Sequence, residues 1–456
     1  MEVDTLIIGS GQAGVPLATR LVSAGQRVLL AERARPGGTC VNYGCTPTKT
    51  MIASARAAHV ARNGARLGVH ARDVRVDFAQ VVSRKQAVVR QWREGVEKRL
   101  REAGDGLVFV QGHARFVGPR EVEVAGERHR AKTIVINVGA RPGVPPIPGL
   151  ETVDWLDNAR AMELGSLPAH LVIIGGGYIG CEFGQMFRRF GSDVTMIDHN
   201  DHLLSREDPE ISAEIEKVFR SEGIRLELGR GVRDVAGSGG GARVRIEGGP
   251  EIHGSHLLVA AGRRPNTDDL GCDAAGIRLD AKDFVVVDDH HRATAEGVYA
   301  VGDAVAQPQF THTSWDDHRL LYDHLMGRGG GGRQGRIVPY TVFTDPQVAG
   351  VGLSEKEARR RGVAHEVAVM PFGHVARAIE VDEPAGLMKV LIDPESERIL
   401  GATLVGSEAG ELIHIFVALM QARAGARAIV DAQFVHPTFA EGVQSLVMRL
   451  DRFRLR

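Results

Sequence analysis

At 456 residues the chain exceeds one ordinary core, and a prior of about 150 residues per domain gives roughly three units, enough to bury large cofactors. Lys plus Arg number 56 against 57 Asp plus Glu, so no charge excess points to nucleic acid, an anionic membrane or an acidic partner. A small-molecule substrate is expected. Residues 1–4 run straight into an apolar strand at 5–8 with no signal-peptide pattern, and no apolar run approaches the roughly 18 to 20 residues that span a bilayer, so a soluble chain is expected. That strand feeds Gly9-Ser10-Gly11-Gln12-Ala13-Gly14, a helix, and a second strand at 28–32 that closes on Glu32. The pattern is then written again. A strand at 172–174 feeds Gly175-Gly176-Gly177-Tyr178-Ile179-Gly180, a helix, and a strand at 194–198 that closes on Asp198.

In both copies the acid follows the first glycine by 23 residues. A dinucleotide site needs this spacing: the first glycine makes the tight turn, the second lets backbone approach pyrophosphate, and the third lets the helix pack closely. The acid accepts the hydroxyls of a ribose. Two copies in matching register predict two dinucleotide sites. Each copy has a later partner strand ending in a glycine turn, 134–142 with Gly139 and 257–266 with Gly262. A further strand at 298–303 delivers Asp303 to a turn, where it can meet a polar cofactor tail. The proline-rich stretch 142–148 reads as a boundary. The expected domains are 1–150 and 151–270 for the two nucleotides, 271–338 completing the first, and 339–456. In the last, strands are expected at 341–343, 388–392 and 399–405, with helices at 354–361 and 412–422. Arg359-Arg360-Arg361 reads as a solvated helix face. The glycine runs 239–241 and 329–332 read as flexible and solvated, without function.

Four cysteines, Cys40, Cys45, Cys181 and Cys272, are too few for a disulfide-stapled secreted fold. A close pair belongs instead to a redox or metal site in a reducing compartment, with the cytoplasm favoured. Cys40 and Cys45, on the first nucleotide domain, read as a disulfide that takes electrons from the bound cofactor. The alternative is a metal site, but zinc wants about four ligands and no second Cys/His pair has suitable spacing, so no metal is expected. The thiols gain reactivity if they open a helix, where backbone N–H groups favour thiolate, and Lys49 adds a charge on the same expected helix.

These segments together resemble the two-dinucleotide flavoprotein disulfide reductases, the family of dihydrolipoamide dehydrogenase, glutathione reductase and mercuric reductase. The markers are Gly9 to Gly14 with Glu32, Cys40 to Lys49, Gly175 to Gly180, Gly302-Asp303 and the tail His436-Pro437-Thr438-Phe439-Ala440-Glu441. The resemblance implies an α/β fold of two Rossmann-like dinucleotide-binding domains plus a C-terminal α+β dimerisation domain. It implies FAD on Gly9, Gly11, Gly14, Glu32, Gly38, Thr39, Gly139 and Asp303, with Thr311 opening a helix beneath the flavin ring. The nicotinamide cofactor would sit on Gly175, Gly177, Gly180, Asp198 and Gly262. Tyr178 resembles the gate over the flavin, and Lys49 would pair with Glu182 near flavin N5. Cys45 would be the thiol nearest the ring and Cys40 the exposed interchange thiol, with His436 as acid/base oriented by Glu441. The family places that tail over the partner subunit's cysteines, so a homodimer is implied.

Asp198 favours NADH because an acid repels the extra phosphate of NADPH, but His199 and Arg206 nearby keep NADPH open. With no vicinal cysteine pair near Arg456 and the first strand at the start, the soft ligands that pass Hg(II) to the inner thiols of mercuric reductases are expected to be lacking. Residues 309–319 with Pro47-Thr48-Lys49 look most like the mercuric-reductase-like branch that includes the reactive-chlorine resistance flavoproteins. Tyr43, between the cysteines, is bulkier than the aliphatic residue usual there. Three readings follow: a stand-alone NAD(P)H-dependent reductase of a small disulfide, quinone or thiophilic metal ion; a dihydrolipoamide dehydrogenase subunit of a 2-oxo acid dehydrogenase complex; and a redox sensor without turnover.

Overall fold

The computed structural model describes residues 1–329 and 331–454; Gly330 of the expected flexible run, and Leu455 and Arg456 of the tail, lie outside the described residues. The residues group into two compact units, Met1–Thr50 with Val82–Gly143 and Gly262–Arg336, and Met51–Val81 with Val144–Ala261 and Ile337–Arg456.

In the first unit the fully apolar stretches form the middle of a parallel sheet, as expected of strands buried on both faces. Leu107–Gln111, Val28–Glu32, Glu2–Ile8, Glu127–Ile136 and Val298–Ala300 lie side by side in that order, with Leu6, Ile7, Leu29, Leu30, Ile134 and Val135 without exposure. The strand Glu127–Ile136 is long enough to serve two partners on one edge. Its end pairs with Val298–Ala300, while its start turns into an antiparallel meander with Glu121–Val124 and Ala114–Gly118. Ala140–Pro142 and Arg263–Pro265 make a short antiparallel ribbon.

The second unit holds a four-stranded parallel sheet, Arg225–Glu227, Asp193–Ile197, His170–Ile174 and His256–Val259, beside a three-stranded antiparallel one. It also holds a five-stranded antiparallel sheet in the order Tyr340–Val342, Gln347–Gly352, Ile399–Gly406, Leu387–Ile392, Glu366–Pro371. Helices Ala409–Gln421 and Glu441–Val447 pack on this sheet around Phe372, Met388, Leu404 and Phe416.

The grouping differs from the domains expected from sequence. Residues 51–81 and 144–150 fall in the second unit, and Gly262 falls in the first. The sequence offers no break at residue 50, because one uninterrupted helix, Cys45–Asn63, runs through it.

Candidate active site

The first strand ends at Ile8 and the chain turns at Gly9, whose φ of +106° suits glycine. The third glycine, Gly14, is required by contact: a Cβ there would lie 2.1 Å from Gly9 O and 2.7 Å from Asn137 Nδ2. Asn137 Nδ2 donates to Gly9 O at 2.9 Å and pins the turn from the neighbouring strand's end. A Cβ on Gly11, by contrast, meets only Asn137 Nδ2, at 3.4 Å, and Gly38 approaches Gly11 so closely that its own Cβ would lie 2.7 Å from the Gly11 Cα. Glu32 Oε2 accepts the Ser10 N–H at 2.9 Å and Oγ–H at 2.7 Å, so the acid is held at the glycine loop. Gly302 precedes Asp303, whose carboxyl burial pushes up, while Arg263, 3.7 Å away, pulls it down. Gly139 and Gly262 have positive φ with open space where a Cβ would project. A cradle of bare backbone at Gly11 and Gly38, an acid at the second strand's end and a half-buried carboxyl fit a flavin dinucleotide.

Thr39 and Cys40 lie on the short helix Gly38–Asn42, and Cys45 is the first residue of helix Cys45–Asn63, with Lys49 one turn on. Backbone N–H groups at a helix start favour negative sulfur, and the Lys49 charge adds to them. The two thiols lie within hydrogen-bonding reach of each other: Cys45, then burial, pushes the Cys40 thiol far above its usual value, while Thr311 and Lys49 pull it down. Cys45 Sγ also lies 3.2 Å from Thr311 Oγ1, at the start of helix Thr311–Leu325. In the single chain Cys45 is exposed and Cys40 half-buried.

The second glycine loop repeats the first. Gly175 turns at φ +117°, a Cβ on Gly180 would lie 2.0 Å from Gly175 O, and Asp198 Oδ2 accepts the Gly176 N–H at 2.5 Å. Gly177 alone of these has nothing within 4 Å of the point a Cβ would occupy. His199 Nδ1 stands 3.5 Å from Asp198 Oδ1 on the surface. Tyr178 opens helix Tyr178–Phe190 and is 39% exposed, whereas Glu182 is 3% exposed and accepts the Phe343 N–H at 2.9 Å. The helix is seated by Phe183, Phe187 and Phe190 with Phe78, ring centroids 5.7 to 6.3 Å apart. Cys181, on the same helix, is fully buried, and burial raises its thiol well above the ordinary range; burial likewise pushes the Cys272 thiol up to about 11. In the tail, His436 Nδ1 lies 2.8 Å from Glu441 Oε2 and the imidazole is 72% exposed.

Residues 3–317 match the family model described as pyridine nucleotide-disulphide oxidoreductase, and residues 338–447 match that family's dimerisation domain. The chain belongs to this family. As a pyridine nucleotide-disulphide oxidoreductase it is an FAD-dependent flavoprotein enzyme that uses NAD(P)H and a redox-active disulfide. It is 34% identical to the mercuric reductase of Lysinibacillus sphaericus, over 98% of this chain and 83% of that one. Identity is also 34% to the probable pyridine nucleotide-disulfide oxidoreductase RclA of Escherichia coli, over 98% of this chain and 98% of that one, and to the dihydrolipoyl dehydrogenase of Thermus scotoductus, over 98% and 97%. The solved structure of the Escherichia coli RclA, an HOCl-induced flavoprotein disulfide reductase, superposes with a TM-score of 0.90 at 34% identity, covering 98% of this chain and 99% of that one. The same protein has also been solved as a Cu(II) complex. No helix among the described residues is long and apolar enough to cross a membrane.

Three residues of this oxidoreductase escaped the sequence reading. Asn137, which pins Gly9, carries no motif of its own, and its place next to the glycine turn at 139 is the one usable signal. Arg263 stands in the expected turn 262–266 but nothing in the sequence points it at Asp303. Asp345 lies in no motif, and its partners come from two distant stretches, Arg56 and the helix carrying Gln185 and Arg189.

Proposed function

We propose that the enzyme is a stand-alone NADH-dependent reductase that delivers an electron pair through Cys40 and Cys45 to a small disulfide, quinone or thiophilic metal ion. The observation that carries this reading is a reactive thiol at a helix start, Cys45, in reach of both Cys40 and Thr311. Bound FAD supplies a two-electron relay between pyridine nucleotide and disulfide. The residues held against Gly9, Gly11, Gly14, Glu32, Gly38, Thr39, Gly139, Asp303 and Thr311 bind it, and those at Gly175, Gly177, Gly180, Asp198, Tyr178 and Gly262 bind the nicotinamide cofactor.

Reduction of the disulfide takes two electrons and yields a thiolate at Cys45 and a thiol at Cys40. Helix N–H groups and Lys49 stabilise the former. Cys40 attacks the acceptor, and for a disulfide RSSR the balance is NADH, one proton and RSSR giving NAD⁺ and two RSH. Glu441 holds His436 through Nδ1, which leaves Nε2 to take or return the thiol proton. We assign that histidine to a partner subunit's dithiol in a homodimer, as the dimerisation domain supports. Lys49 and Glu182 are assigned as the pair near flavin N5. Asp198 supports NADH over NADPH, and a cytoplasmic setting suits a free dithiol.

Anaerobic titration with NADH, followed by a screen of lipoamide, glutathione disulfide, Hg(II), Cu(II) and quinones, tests the reading. A long-wavelength thiolate-to-flavin band and turnover with one of the last four are expected. A purified chain that retains no flavin would sink the proposal, and turnover confined to lipoamide would move it to the dihydrolipoamide dehydrogenase reading that the Thermus relative keeps in view.

A further inference from the structure

Helix Tyr178–Phe190 grips residues 343–345 with three side chains on one face. Glu182 Oε1 accepts the Phe343 N–H at 2.9 Å. Gln185 Oε1 accepts the Asp345 N–H at 2.8 Å while its Nε2 donates to the Asp345 carbonyl at 2.7 Å. Arg189 Nη1 donates to Asp345 Oδ2 at 2.6 Å. Positions 182, 185 and 189 recur at helical spacing, so one turn of chain is held along about two turns of helix. Asp345 Oδ2 also accepts from Arg56 Nη1 at 2.6 Å, and Arg56 belongs to the helix that begins at Cys45. Arg189, 6% exposed, is closed by Glu222 at 3.0 and 2.6 Å, and Arg56 by Glu383 at 2.7 Å. Burial works to raise the Asp345 carboxyl, but Arg189 and Arg56 outweigh it and hold it below the usual range.

We propose that Asp345 is a positioning residue for the nicotinamide half-reaction, fixing helix Tyr178–Phe190 so that Tyr178 and Glu182 are presented to the pyridine nucleotide. This rests on the functional reading of those two residues given above. Asp345 touches no reacting atom. It acts by anchoring the far half of the helix, and it shares its carboxylate with the helix that carries the redox thiol.

The test compares Asp345→Asn, which removes the charge at constant size, with Asp345→Glu, which keeps it. Hydrogen exchange of amides 181–190 is expected to quicken by about tenfold in the Asn variant and to stay near wild type in the Glu variant. In the holoenzyme, stopped-flow bleaching of the flavin by NADH is expected to slow by about tenfold in the Asn variant and to recover in the Glu variant, as for a small misplacement of a donor. Reoxidation of the dithionite-reduced Asn variant by Cu(II) should stay within about twofold of wild type, since the dithiol is untouched. Wild-type exchange or bleaching in the Asn variant overturns the inference, as does equal slowing of both half-reactions. Should that variant fail to fold, Arg56→Met carries the test, with bleaching slowed by about threefold expected and an unchanged rate overturning it. A wild-type flavin that NADH cannot bleach overturns the functional reading instead, and the exchange measurement still judges the anchor.

Discussion

At the scale of single residues, the chemistry turns on where Cys45 stands. It is the first residue of its helix and its sulfur lies 3.2 Å from Thr311 Oγ1, so it stands at the positive end of one helix and against the start of a second. Cys40, pushed up by its neighbour, keeps its proton more firmly. Cys45→Ser should therefore abolish the long-wavelength band of the reduced enzyme, while Cys40→Ser should retain it without added reductant. Absorbance spectra of the two anaerobic variants check this. A band that survives Cys45→Ser would reverse the assignment of the thiols. Most of this site was legible in the sequence, because its requirements are local: six residues span both cysteines, and Glu441 follows His436 by five.

At the scale of elements, the two glycine loops separate packing from binding. Gly180 must be glycine because a Cβ would lie 2.0 Å from Gly175 O, whereas Gly177, at φ −76°, has room for one. Gly180→Ala should cost about 2 to 3 kcal/mol by forcing the helix off its strand. Gly177→Ala should change stability by no more than about 0.5 kcal/mol, yet lower NADH affinity by intruding where pyrophosphate approaches. Urea unfolding and NADH titration of both variants check this. Undiminished NADH binding by Gly177→Ala would remove the loop from the cofactor site. In the tail, the strands expected at 388–392 and 399–405 appear as Leu387–Ile392 and Ile399–Gly406, and the helix expected at 354–361 appears as Glu355–Arg361 with Ser354 accepting the Glu357 N–H. The strand Gln347–Gly352 went unread because small residues and two glycines conceal it. Gly350 is small for a tertiary reason, since a Cβ there would lie 2.4 Å from the Tyr340 hydroxyl on the paired strand. The helix Phe78–Glu102 and the meander after it carry no motif and were equally silent.

At the scale of the whole molecule, two glycine repeats point to two nucleotide domains, but residues 51–81 group with the second unit, where Phe78 meets Phe187 and Phe190 and Arg56 meets Asp345 and Glu383, contacts that no local pattern encodes. Among the second unit's polar pairs is one that titrates. Burial pushes the Glu207 carboxyl up to about 7, against the hydrogen bond that Tyr340 donates to it at 2.6 Å. A carboxyl with a higher pKa in the folded chain holds its proton better there, so this contribution is full below the ordinary pKa of about 4.5 and is lost as pH rises through about 7. The loss is about 3 kcal/mol at most. Glu207→Gln cannot ionise and should match wild type at pH 4.5 but exceed it at pH 8. Urea midpoints at the two pH values check this, and an equal difference at both would show that Glu207 does not titrate.

The same unit contains its most demanding charge, Lys389 on the strand Leu387–Ile392, 1% exposed. Its Nζ donates to Asp208 at 2.8 Å and to Glu210 and Glu355 at 2.5 Å each. Asp208 in turn accepts the N–H groups of Glu355 and Lys356 at 3.1 and 2.8 Å, so one carboxylate joins the C-terminal sheet, helix Glu355–Arg361 and the start of helix Pro209–Ser221. Burial acts to raise the Asp208 and Glu355 carboxyls, but Lys389 holds both below their usual range. Lys389→Met would leave three acids crowded without their cation, and breaking a buried pair from one side costs about 3 to 5 kcal/mol. Two lowered carboxyl pKa values mean stability that is present above the ordinary carboxylate range and lost as pH falls through it, and the variant forfeits that share. Its deficit should therefore be largest at pH 7 and shrink toward pH 4, and Glu355→Gln added to Lys389→Met should recover part of it at neutral pH. Urea unfolding across that range decides the matter, because a deficit that stays constant with pH would mean that Lys389 contributes packing of its stem and not the neutralisation of its three acids.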